Sequence, residues 1–532
     1  MKKYEIPVSP VDSSILEDGT FFYDFGRHAF AILELELESE QRQQIVIAVG
    51  EVRKNGRLDR NPGGSRIYQE QTVDIMPGHQ RVAMKMLHPG YNNGTLTIEP
   101  NAVPFRYAEL RSFSGKAKVV QRAFFANFED AESNFSSSSA NLDRIWDFCK
   151  YTMKATTPFG IFIDGNRERQ AYEGDTYINQ LGYLVCMADP EIPRDTIDRL
   201  FAYPTWPTEW RLAMIPIVHD YALYTGDLTN ARRWYEPLKK SLLPDAVGKD
   251  GLLNAALLPD KPDCPGFGAK ARIHDIVDWP VCELDNYEMG TVNLVPNCWH
   301  YMALRRMSAL SELLGLHSEA VSCQNKAELS RAAIRRTMLR DGLFMDNPAS
   351  RHTAIHSCIF PALWDIAEPA EKPRILALMK SKGMACSVFC AQFLLECCGV
   401  NRMMDYGLEL MTSTGLRSWN NMLDKGATIA MEAWDDSFKP NQDWNHPWGA
   451  APGNIIVRYL CGIRPLEPGF RKFTVDPQPA GLNHFELRTP SPNGPVLLRM
   501  ESPERYVLTV PDGTAALFRG KSLPPGTHVL LP

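Results

Sequence analysis

The sequence predicts a multidomain protein in which a central (α/α)6 barrel lies between an N-terminal β-sandwich and a small C-terminal β-sandwich. The hydrophobic pattern alternates as in strands at both ends of the 532-residue chain and has a helical period between them. We expect the N-terminal sandwich at 1–130, the barrel at 131–465 and the C-terminal sandwich at 466–532. A chain of this length exceeds one ordinary core, which also favours several domains.

The N-terminal segment contains short alternating runs about ten residues apart, a spacing that is typical of an antiparallel sandwich. Turn-forming clusters such as RKNGRLDRNPGG and HPGYNNG separate them. The predicted strands are FFYDFG, FAILELELE, IVIAVGEV, RIYQEQTVDI, RVAMKML, TLTIEP, FRYAELRSF and KVVQRAFF. Nothing in this segment indicates a catalytic group by itself.

The middle of the chain contains about a dozen helix-like runs, which match the two concentric rings of six helices in an (α/α)6 barrel. The first, SSANLDRIWDFCKYTMKATT, begins with a Ser/Asn cap region, and MLDKGATIAMEAW is one of the later ones. Long Trp- and Pro-rich segments such as YPTWPTEW and SFKPNQDWNHPWG interrupt the helices. In a helical barrel such loops gather at one mouth and form a cleft.

The last part of the chain returns to alternating runs with Pro/Gly turns. After the linker GIRPLEPGF, the predicted strands are KFTVDP, HFELRTP, GPVLLRMES, RYVLTVP and TAALFRG. They predict the small C-terminal sandwich.

The net charge is −6 and no Lys/Arg run is present, so we do not expect nucleic acid as a partner. No apolar run reaches the roughly 18–20 residues of a membrane span. The N-terminus MKKYEIPVSPVDSS lacks the apolar segment of a secretory signal, so we expect a cytoplasmic or periplasmic protein. The sequence leaves the oligomeric state open.

The 12 cysteines show no metal-ligand spacing. Four of them lie in the apolar helical run MACSVFCAQFLLECC, where we expect free buried thiols rather than disulfides or metal ligands: Cys386, Cys390, Cys397 and Cys398. We therefore expect no metal and no other cofactor.

The stretch IFIDGNRERQAYEGD carries the strongest functional signal. Four carboxylates lie within twelve residues, namely Asp164, Glu168, Glu173 and Asp175. Arg167 and Arg169 are interleaved with them, and apolar runs precede and follow the cluster. A charged loop fixed between buried segments indicates a site where acids and bases are held at set distances. The alternative is a capping and salt-bridge cluster at the start of a helix.

A second candidate is Glu432 in GATIAMEAWDDSF, a carboxylate in an apolar and aromatic setting beside Trp434. On a helix such a Glu usually faces solvent, but an apolar setting favours an acid or a base. Together, Glu168 and Glu432 suit glycoside hydrolysis, in which one carboxyl group protonates the departing oxygen and the other activates water or attacks the sugar.

A third candidate is His446 in NQDWNHPWGAAPG, although a lone His is more often a structural group. Trp206, Trp210 and Trp279 are either sugar-stacking platforms or core residues. No GxSxG, P-loop or GxGxxG motif is present.

These motifs resemble those of the α-L-rhamnosidases of glycoside hydrolase family 78, over nearly the whole chain. DGNRERQAYEGD is similar to the family's central motif, TIAMEAWD to its Thr-x-x-x-Glu-x-Trp-Asp, and Asn445-His446 to its Asn-His. The spacing from Asp164 to Glu168 is one residue shorter than in that motif, and Tyr172 stands where a Trp is usual.

The resemblance implies an inverting exo-glycoside hydrolase that releases terminal α-L-rhamnose from a glycan or glycoside. It implies Glu168 as general acid and Glu432 as general base. It implies that the sugar hydroxyls and the walls of the sugar pocket are contacted by Asp164, Arg167, Tyr172, Asp175, Trp210, Trp279, Trp434 and His446. Glu173 falls at a variable position of the motif and is expected at the surface or behind the site.

Two alternatives remain at this point. One is an (α/α)6-barrel glycosidase of different sugar specificity, and the other is a non-catalytic carbohydrate-binding protein on the same fold. The two carboxylates Glu168 and Glu432 favour an enzyme, because a binding protein has no need of an opposed acid and base.

Overall fold

The computed structural model describes residues 4–87, 96, 98, 100–259 and 272–531. Its N-terminal region is built on one long strand of 19 residues, Phe21–Ser39. The strands of this region are β1 (Tyr4–Val8), β2 (Asp12–Ile15), β3 (Phe21–Ser39), β4 (Gln43–Gly50), β5 (Arg53–Lys54), β6 (Arg57–Leu58), β7 (Tyr68–Ile75), β8 (Gly78–Ala83), β9 (Val103–Arg111) and β10 (Lys116–Phe125).

Hydrogen bonding joins eight of these strands into one antiparallel sheet in the order β1-β10-β3-β9-β4-β7, with β2 and β8 also paired to β3. The predicted strands FFYDFG and FAILELELE are a single strand, because β3 continues through an irregularity between Asp24 and Ala29. Gly26 takes a positive φ of 82° there, a conformation that glycine adopts without strain. The predicted strand TLTIEP falls partly outside the described residues.

Helices dominate the middle of the chain, which confirms the predicted order of strands, helices and strands. The α-helices in the described residues are α1 (Ala140–Ala155), α2 (Glu173–Leu184), α3 (Glu191–Ala202), α4 (Thr208–Thr225), α5 (Leu228–Leu238), α6 (Leu294–Leu313), α7 (His317–Met338), α8 (Ile355–Leu363), α9 (Lys372–Lys382), α10 (Val388–Val400), α11 (Met404–Thr412), α12 (Trp419–Asp424) and α13 (Ala451–Ile455). The side chain of Ser139 caps α1 by accepting from the backbone N–H of Leu142. Helix α3 was not predicted, although Ile192, Ile197 and Leu200 of its sequence EIPRDTIDRLFA are buried at helical spacing.

The prediction of a helix through MLDKGATIAMEAW is wrong beyond residue 424. Helix α12 ends at Asp424, and Gly426 follows with a positive φ of 91°. The stretch after it pairs with another loop: Glu432 N donates to Asp443 O at 3.0 Å, and His446 N donates to Ala430 O at 2.8 Å. The apolar residues here are buried between loops. A continuous apolar run in such a loop has the same sequence pattern as a buried helix, which explains the wrong prediction.

The C-terminal strands form two sheets. The strands outside the N-terminal region are β11 (Asn134–Ser137), β12 (Leu339–Arg340), β13 (Leu343–Phe344), β14 (Ile463–Pro465), β15 (Lys472–Val475), β16 (Phe485–Thr489), β17 (Val496–Ser502), β18 (Arg505–Val510), β19 (Ala515–Phe518), β20 (Lys521–Leu523) and β21 (Gly526–Leu530). One sheet has the order β11-β16-β17-β18-β21 and the other β14-β15-β19-β20. Strand β11 lies just before α1 in sequence, so the C-terminal sheet includes a strand from the start of the helical region.

Two further features concern the helical region. The thiols of Cys386, Cys390, Cys397 and Cys398 are buried in or beside α10 and form no disulfide. Among the described residues, no helix combines the length and the apolar character needed to cross a membrane.

Candidate active site

One cavity of about 480 Å³ collects most of the functional residues predicted from the sequence. Nine of the ten predicted side chains line it, all except Trp434. The lining residues are Asp164, Arg167, Glu168, Tyr172, Asp175, Trp206, Pro207, Trp210, Ile276, Trp279, Glu432, Lys439, His446 and Trp448.

The loop 164–170 is a closed turn that presents Glu168 to the cavity. Asp164 N donates to Gln170 O at 2.8 Å, and Gln170 N donates to Asp164 Oδ1 at 2.8 Å. Gly165 is required for a close approach, since a Cβ there would lie 2.5 Å from Oδ2 of Asp443. The short spacing between Asp164 and Glu168 is therefore accommodated by a tight, internally bonded loop.

Arg169, the second arginine of the motif, faces away from the cavity and anchors the loop to the N-terminal sheet. Its guanidinium donates to Ala102 O at 2.8 Å and to Asn166 Oδ1 at 2.7 Å. It also lies 5.1 Å from the ring centre of Phe159 and is fully buried. These contacts fix the base of the turn from behind.

Arg167 joins the two candidate catalytic carboxylates. Its Nη1 and Nη2 donate to Glu432 Oε2 at 2.9 Å and Oε1 at 3.1 Å. Nη2 also lies 3.1 Å from Glu168 Oε1. Since both Oε1 atoms lie 3.1 Å from the same nitrogen, they are at most twice 3.1 Å, or 6.2 Å, apart. This limit on the nearest oxygens is compatible with carboxyl separations for either stereochemical outcome of glycoside hydrolysis.

The surroundings of Glu432 favour its ionised form. Burial alone would raise the pKa of this carboxyl, but the interactions with His446, Arg167 and Lys439 outweigh it and lower the pKa to about 2. The ammonium of Lys439 lies 3.3 Å from Glu432 Oε1. Backbone N–H of Asp443 adds a hydrogen bond to Oε2 at 3.0 Å. Glu432 is therefore a carboxylate at neutral pH, as a general base requires.

The surroundings of the other acidic groups around the cavity disfavour their ionised forms. Burial, with the charges of Glu168 and Asp175, raises the pKa of Asp164 well above its usual value. Burial also raises the pKa of Asp175, although His446 Nε2 lies 2.8 Å from its Oδ1 and opposes the shift. Burial raises the pKa of Asp443 to about 6. These groups can accept hydrogen bonds from sugar hydroxyls, but several full negative charges together are costly.

Aromatic rings form the walls of the cavity. The hydroxyl of Tyr172 donates to Glu168 Oε2, and its ring lies edge-on to Trp210 and Trp206 at 5.6 and 5.9 Å between centroids. Trp279 lies 5.4 Å from the ammonium of Lys439. An apolar wall beside a few fixed polar groups is the usual composition of a sugar site.

Two residues of the motifs, Trp434 and Glu173, lie outside the cavity lining. Trp434 is fully buried outside the cavity lining, where its indole N–H donates to Cys386 O at 2.8 Å and its ring contacts Trp419. The expectation that Glu173 could lie at the surface is wrong: it is fully buried and accepts from Thr205 N at 3.0 Å. Glu173 therefore supports the start of helix α2.

Sequence reasoning assigned no role in the site to Lys439, Asp443, Pro207, Ile276 or Trp448. Trp448 contributes twice, since its indole N–H donates to Glu432 O at 2.9 Å and its ring lies 4.3 Å from that of His446. Lys439 lies in the Pro-rich loop SFKPNQDW, whose length and Trp content signalled a cleft loop but not which side chain faces inward.

Among the residues that the structure describes, two groups of buried side chains have the spacing of metal ligands. Asp164, Asp443 and His446 offer ligand atoms within 4.8 Å of one another, as do Asp278, His356 and Cys390. In the second group, the Asp278 carboxylate already accepts from Ser387 N and Ser387 Oγ and contacts His356 Nε2. The expectation of no metal stays a prediction.

Comparison with known proteins relates both parts of the chain to one family. Residues 130–460 match the bacterial alpha-L-rhamnosidase 6 hairpin glycosidase domain, and residues 462–518 match the bacterial alpha-L-rhamnosidase C-terminal domain. An alpha-L-rhamnosidase of Alteromonas sp. (strain LOR) is 19% identical over 537 residues, covering 92% of this chain. The chain spans only 54% of the length of that relative.

Solved structures show the same fold. The alpha-L-rhamnosidase from Dictyoglumus thermophilum has a TM-score of 0.77 at 16% identity, covering 96% of this chain and 58% of that one. The Streptomyces avermitilis alpha-L-rhamnosidase complexed with L-rhamnose has a TM-score of 0.75 at 15% identity, covering 98% of this chain and 53% of that one.

Proposed function

The chain belongs to the bacterial alpha-L-rhamnosidase family with a six-hairpin glycosidase domain, and we propose that it is an inverting exo-glycoside hydrolase that releases terminal α-L-rhamnose from a glycan or glycoside. The observation that carries the proposal is the contact of Arg167 with both Glu168 and Glu432 inside one cavity. Two carboxyl groups from distant parts of the chain are thereby held beside each other in one cavity, as glycoside hydrolysis by a carboxyl pair requires.

In this proposal Glu168 is the general acid. Its side chain is 28% exposed, the more accessible of the pair, and it lies at the tip of the 164–170 loop. Hydrogen bonds from Arg167 and Tyr172 fix the position of its two oxygens. A proton donor in this position protonates the glycosidic oxygen as the bond to the sugar breaks.

Glu432 is the proposed general base. Its side chain is only 3% exposed, and Arg167 and Lys439 hold it as a carboxylate in one orientation. A fixed carboxylate removes a proton from a water molecule that attacks the anomeric carbon from the face opposite the leaving group. The configuration at that carbon is then inverted.

The remaining lining residues supply sugar recognition. Asp164, Asp175 and Arg167 present acceptors and donors for hydroxyl groups, and His446 is oriented by its contact with Asp175. Tyr172, Trp210 and Trp279 offer apolar surface for the sugar ring and the 6-methyl group of a deoxysugar. We further propose that the helical region is an (α/α)6 barrel and that the flanking sheets belong to β-sandwich domains at the predicted boundaries.

A second sugar specificity is favoured by two observations. Tyr172 stands where the family usually has Trp, and the loop from Asp164 to Glu168 is short and closed. Both features shape the cavity where a sugar would lie. A different deoxysugar or a related pyranose is therefore the second candidate substrate.

A panel of p-nitrophenyl glycosides tests the proposal. We expect the α-L-rhamnoside to be cleaved fastest. The comparison substrates are the α-L-fucoside, β-D-glucoside, α-D-mannoside and α-L-arabinoside. Glu432→Gln is the matched control, because it keeps the shape of the cavity and removes the base. Fastest cleavage of another glycoside would favour the second candidate, and binding of L-rhamnose without any cleavage would favour a carbohydrate-binding protein.

A further inference from the structure

One buried carboxyl group of the N-terminal region, that of Glu51, lies against the loops of the candidate active site. This residue follows strand β4 directly and is 1% exposed. Its Oε2 accepts from Ile67 N at 2.6 Å, and its Oε1 accepts from Asn445 Nδ2 at 3.0 Å. Both oxygens therefore serve as acceptors, one toward its own sheet and one toward the loop that carries His446.

Asn445 also contacts the loop that carries Glu168. Its Oδ1 accepts from the backbone N–H of Asn166 at 2.6 Å. A backbone N–H is only a donor, so the oxygen of the Asn445 amide must face Asn166 and its nitrogen must face Glu51. An acceptor at position 51 stabilises this orientation further, because the nitrogen of the amide then also has a partner.

The two loops that Asn445 connects are those of the proposed acid and base. Asn166 lies two residues before Glu168. Asp443, two residues before Asn445, accepts at its backbone O from Glu432 N and donates its own N–H to Glu432 Oε2. Arg167 N also donates to Asp443 Oδ2 at 3.1 Å. A shift of Asn445 would therefore move both catalytic loops relative to each other.

Other contacts between the N-terminal region and these loops, such as that of Arg169 with Ala102 O at 2.8 Å, each reach one loop. Arg66 forms an ion pair with Asp436 at 2.7 Å and lies 4.8 Å from the ring centre of Trp444. His28 N donates to Thr428 Oγ1 at 2.8 Å. These contacts dock the sheet on the helical region, whereas the contact of Glu51 lies between the two catalytic loops.

We propose that Glu51 is a positioning residue of the active site, which sets the distance between Glu168 and Glu432 by holding the Asn445 amide in one orientation. This inference rests on the proposed glycosidase function. It assigns the N-terminal sheet a part in catalysis beyond that of a separate module.

The chemistry of position 51 allows a sharp test. In Glu51→Gln the new carboxamide must turn its oxygen to the Ile67 N–H, so its NH₂ group faces the NH₂ group of Asn445. Two donors then oppose each other without a change in side-chain volume. Adding Asn445→Asp reverses the polarity of the pair, because a carboxylate at 445 accepts from both the new carboxamide and Asn166 N. Every hydrogen bond of the pair is restored.

We expect Glu51→Gln to lower kcat on p-nitrophenyl α-L-rhamnoside by roughly ten- to a hundredfold with little change in KM, because misplacement of the catalytic groups costs this much. The double variant Glu51→Gln/Asn445→Asp should recover kcat to within a few-fold of the wild type. Glu109→Gln is the matched control, since Glu109 is a buried carboxylate of the same sheet that accepts from Leu58 N at 3.0 Å.

Hydrogen exchange of the peptides covering 164–170 and 441–446 gives a readout that needs no activity. Glu51→Gln should speed exchange there and the double variant should slow it again, while Glu109→Gln leaves both peptides unchanged. If Glu51→Gln does not fold, the double variant decides the question through the same two measurements.

Wild-type kcat and wild-type exchange in Glu51→Gln would overturn the inference, and so would a folded double variant in which neither is restored. A wild-type chain that cleaves no glycoside would instead contradict the proposed function, and the exchange measurement would still decide whether Glu51 positions the loops.

Discussion

Arg167 and Glu432 form a two-pronged ion pair in the lining of the cavity, with Nη1 2.9 Å from Oε2 and Nη2 3.1 Å from Oε1. Both side chains are nearly inaccessible to solvent. A paired guanidinium of this geometry holds a carboxylate both charged and oriented. The relationship explains how a buried Glu can remain ionised and serve as a base.

The ion pair predicts the pH profile of an Arg167 variant. Arg167 lowers the pKa of Glu432, so Arg167→Met should raise it and leave the base protonated over a wider acidic range. The acid limb of kcat should therefore move to higher pH, and kcat/KM at its optimum should fall by roughly a hundredfold through lost positioning. An acid limb at the wild-type position would show that Arg167 does not control the base.

The two carboxylates should respond differently to the leaving group. Glu168→Gln and Glu432→Gln should each lower kcat on a nitrophenyl rhamnoside by roughly 10² to 10⁴ with an unchanged melting temperature. On a 2,4-dinitrophenyl rhamnoside, whose leaving group needs no proton, Glu168→Gln should recover most of its rate and Glu432→Gln should not. Equal rates of recovery in both variants would contradict the assignment of acid and base.

Tyr172 should affect catalysis through its hydroxyl group. Tyr172→Phe keeps the ring between Trp206 and Trp210 and removes the hydrogen bond to Glu168. A hydrogen bond is worth about 0.5–1.5 kcal/mol net, so kcat should change by roughly two- to tenfold. The control is Tyr177→Phe, which removes a hydroxyl 3.3 Å from Glu396 outside the cavity lining. Identical kcat in the two variants would refute the role of Tyr172.

Substitutions of Trp434 and Trp210 should affect different properties, the stability of the fold and the binding of substrate respectively. Trp434→Phe loses the hydrogen bond to Cys386 O and part of a fully buried ring, so we expect about 1–3 kcal/mol lower stability with KM nearly unchanged. Trp210→Phe should chiefly raise KM, because Trp210 lines the cavity. Denaturant unfolding and steady-state kinetics of both variants measure the contrast. A large rise in KM for Trp434→Phe would instead indicate that Trp434 contributes to sugar binding.

Stability should fall as the pH rises from 6.5 to about 8.5. Burial raises the pKa of Glu209 and of Glu51 to about 8, against 4.5 when exposed. Over this range the folded chain keeps protons that the unfolded chain has lost, so rising pH favours unfolding. Buried His28, with its pKa lowered to about 4, costs stability only below about pH 6.5 and does not interfere.

The melting temperature at pH 6.5 and at pH 8.5 measures this effect. Glu209→Gln, which cannot ionise, should show a smaller decrease than the wild type. The carboxamide keeps an acceptor for Val277 N but turns its NH₂ group toward Ile276 N, so the two proteins are compared by the change in melting temperature between the two pH values and not by its absolute value. An equal decrease in both proteins would contradict the prediction.

The sequence was sufficient for the order of strands and helices and for the collection of residues around Glu168. Hydrophobic period reveals elements directly, and a charged loop between buried runs marks a constrained site. It was insufficient for Glu432, which was placed on a helix although it lies in a buried loop pairing with 442–446. A loop that is buried on all sides has no hydrophobic periodicity that would distinguish it from a buried helix.

The parts of the site that escaped prediction depend on contacts between distant segments. Lys439 contacts Glu432 only because the Pro-rich loop folds back over the cavity. Glu51 meets Asn445 across 394 residues of sequence, and nothing in the segment GEVRKNGRL indicates that the carboxyl group of Glu51 is buried. Such contacts are set by the packing of the N-terminal sheet against the helical region.

The stereochemistry of hydrolysis tests the central claim most directly. Cleavage of p-nitrophenyl α-L-rhamnoside should be followed by ¹H NMR from the first seconds, before the free sugar equilibrates between its anomers. A Glu432 that activates water opposite the leaving group predicts that β-L-rhamnose appears first. Initial release of α-L-rhamnose would mean retention, and it would contradict the assignment of Glu432 as the base of an inverting pair.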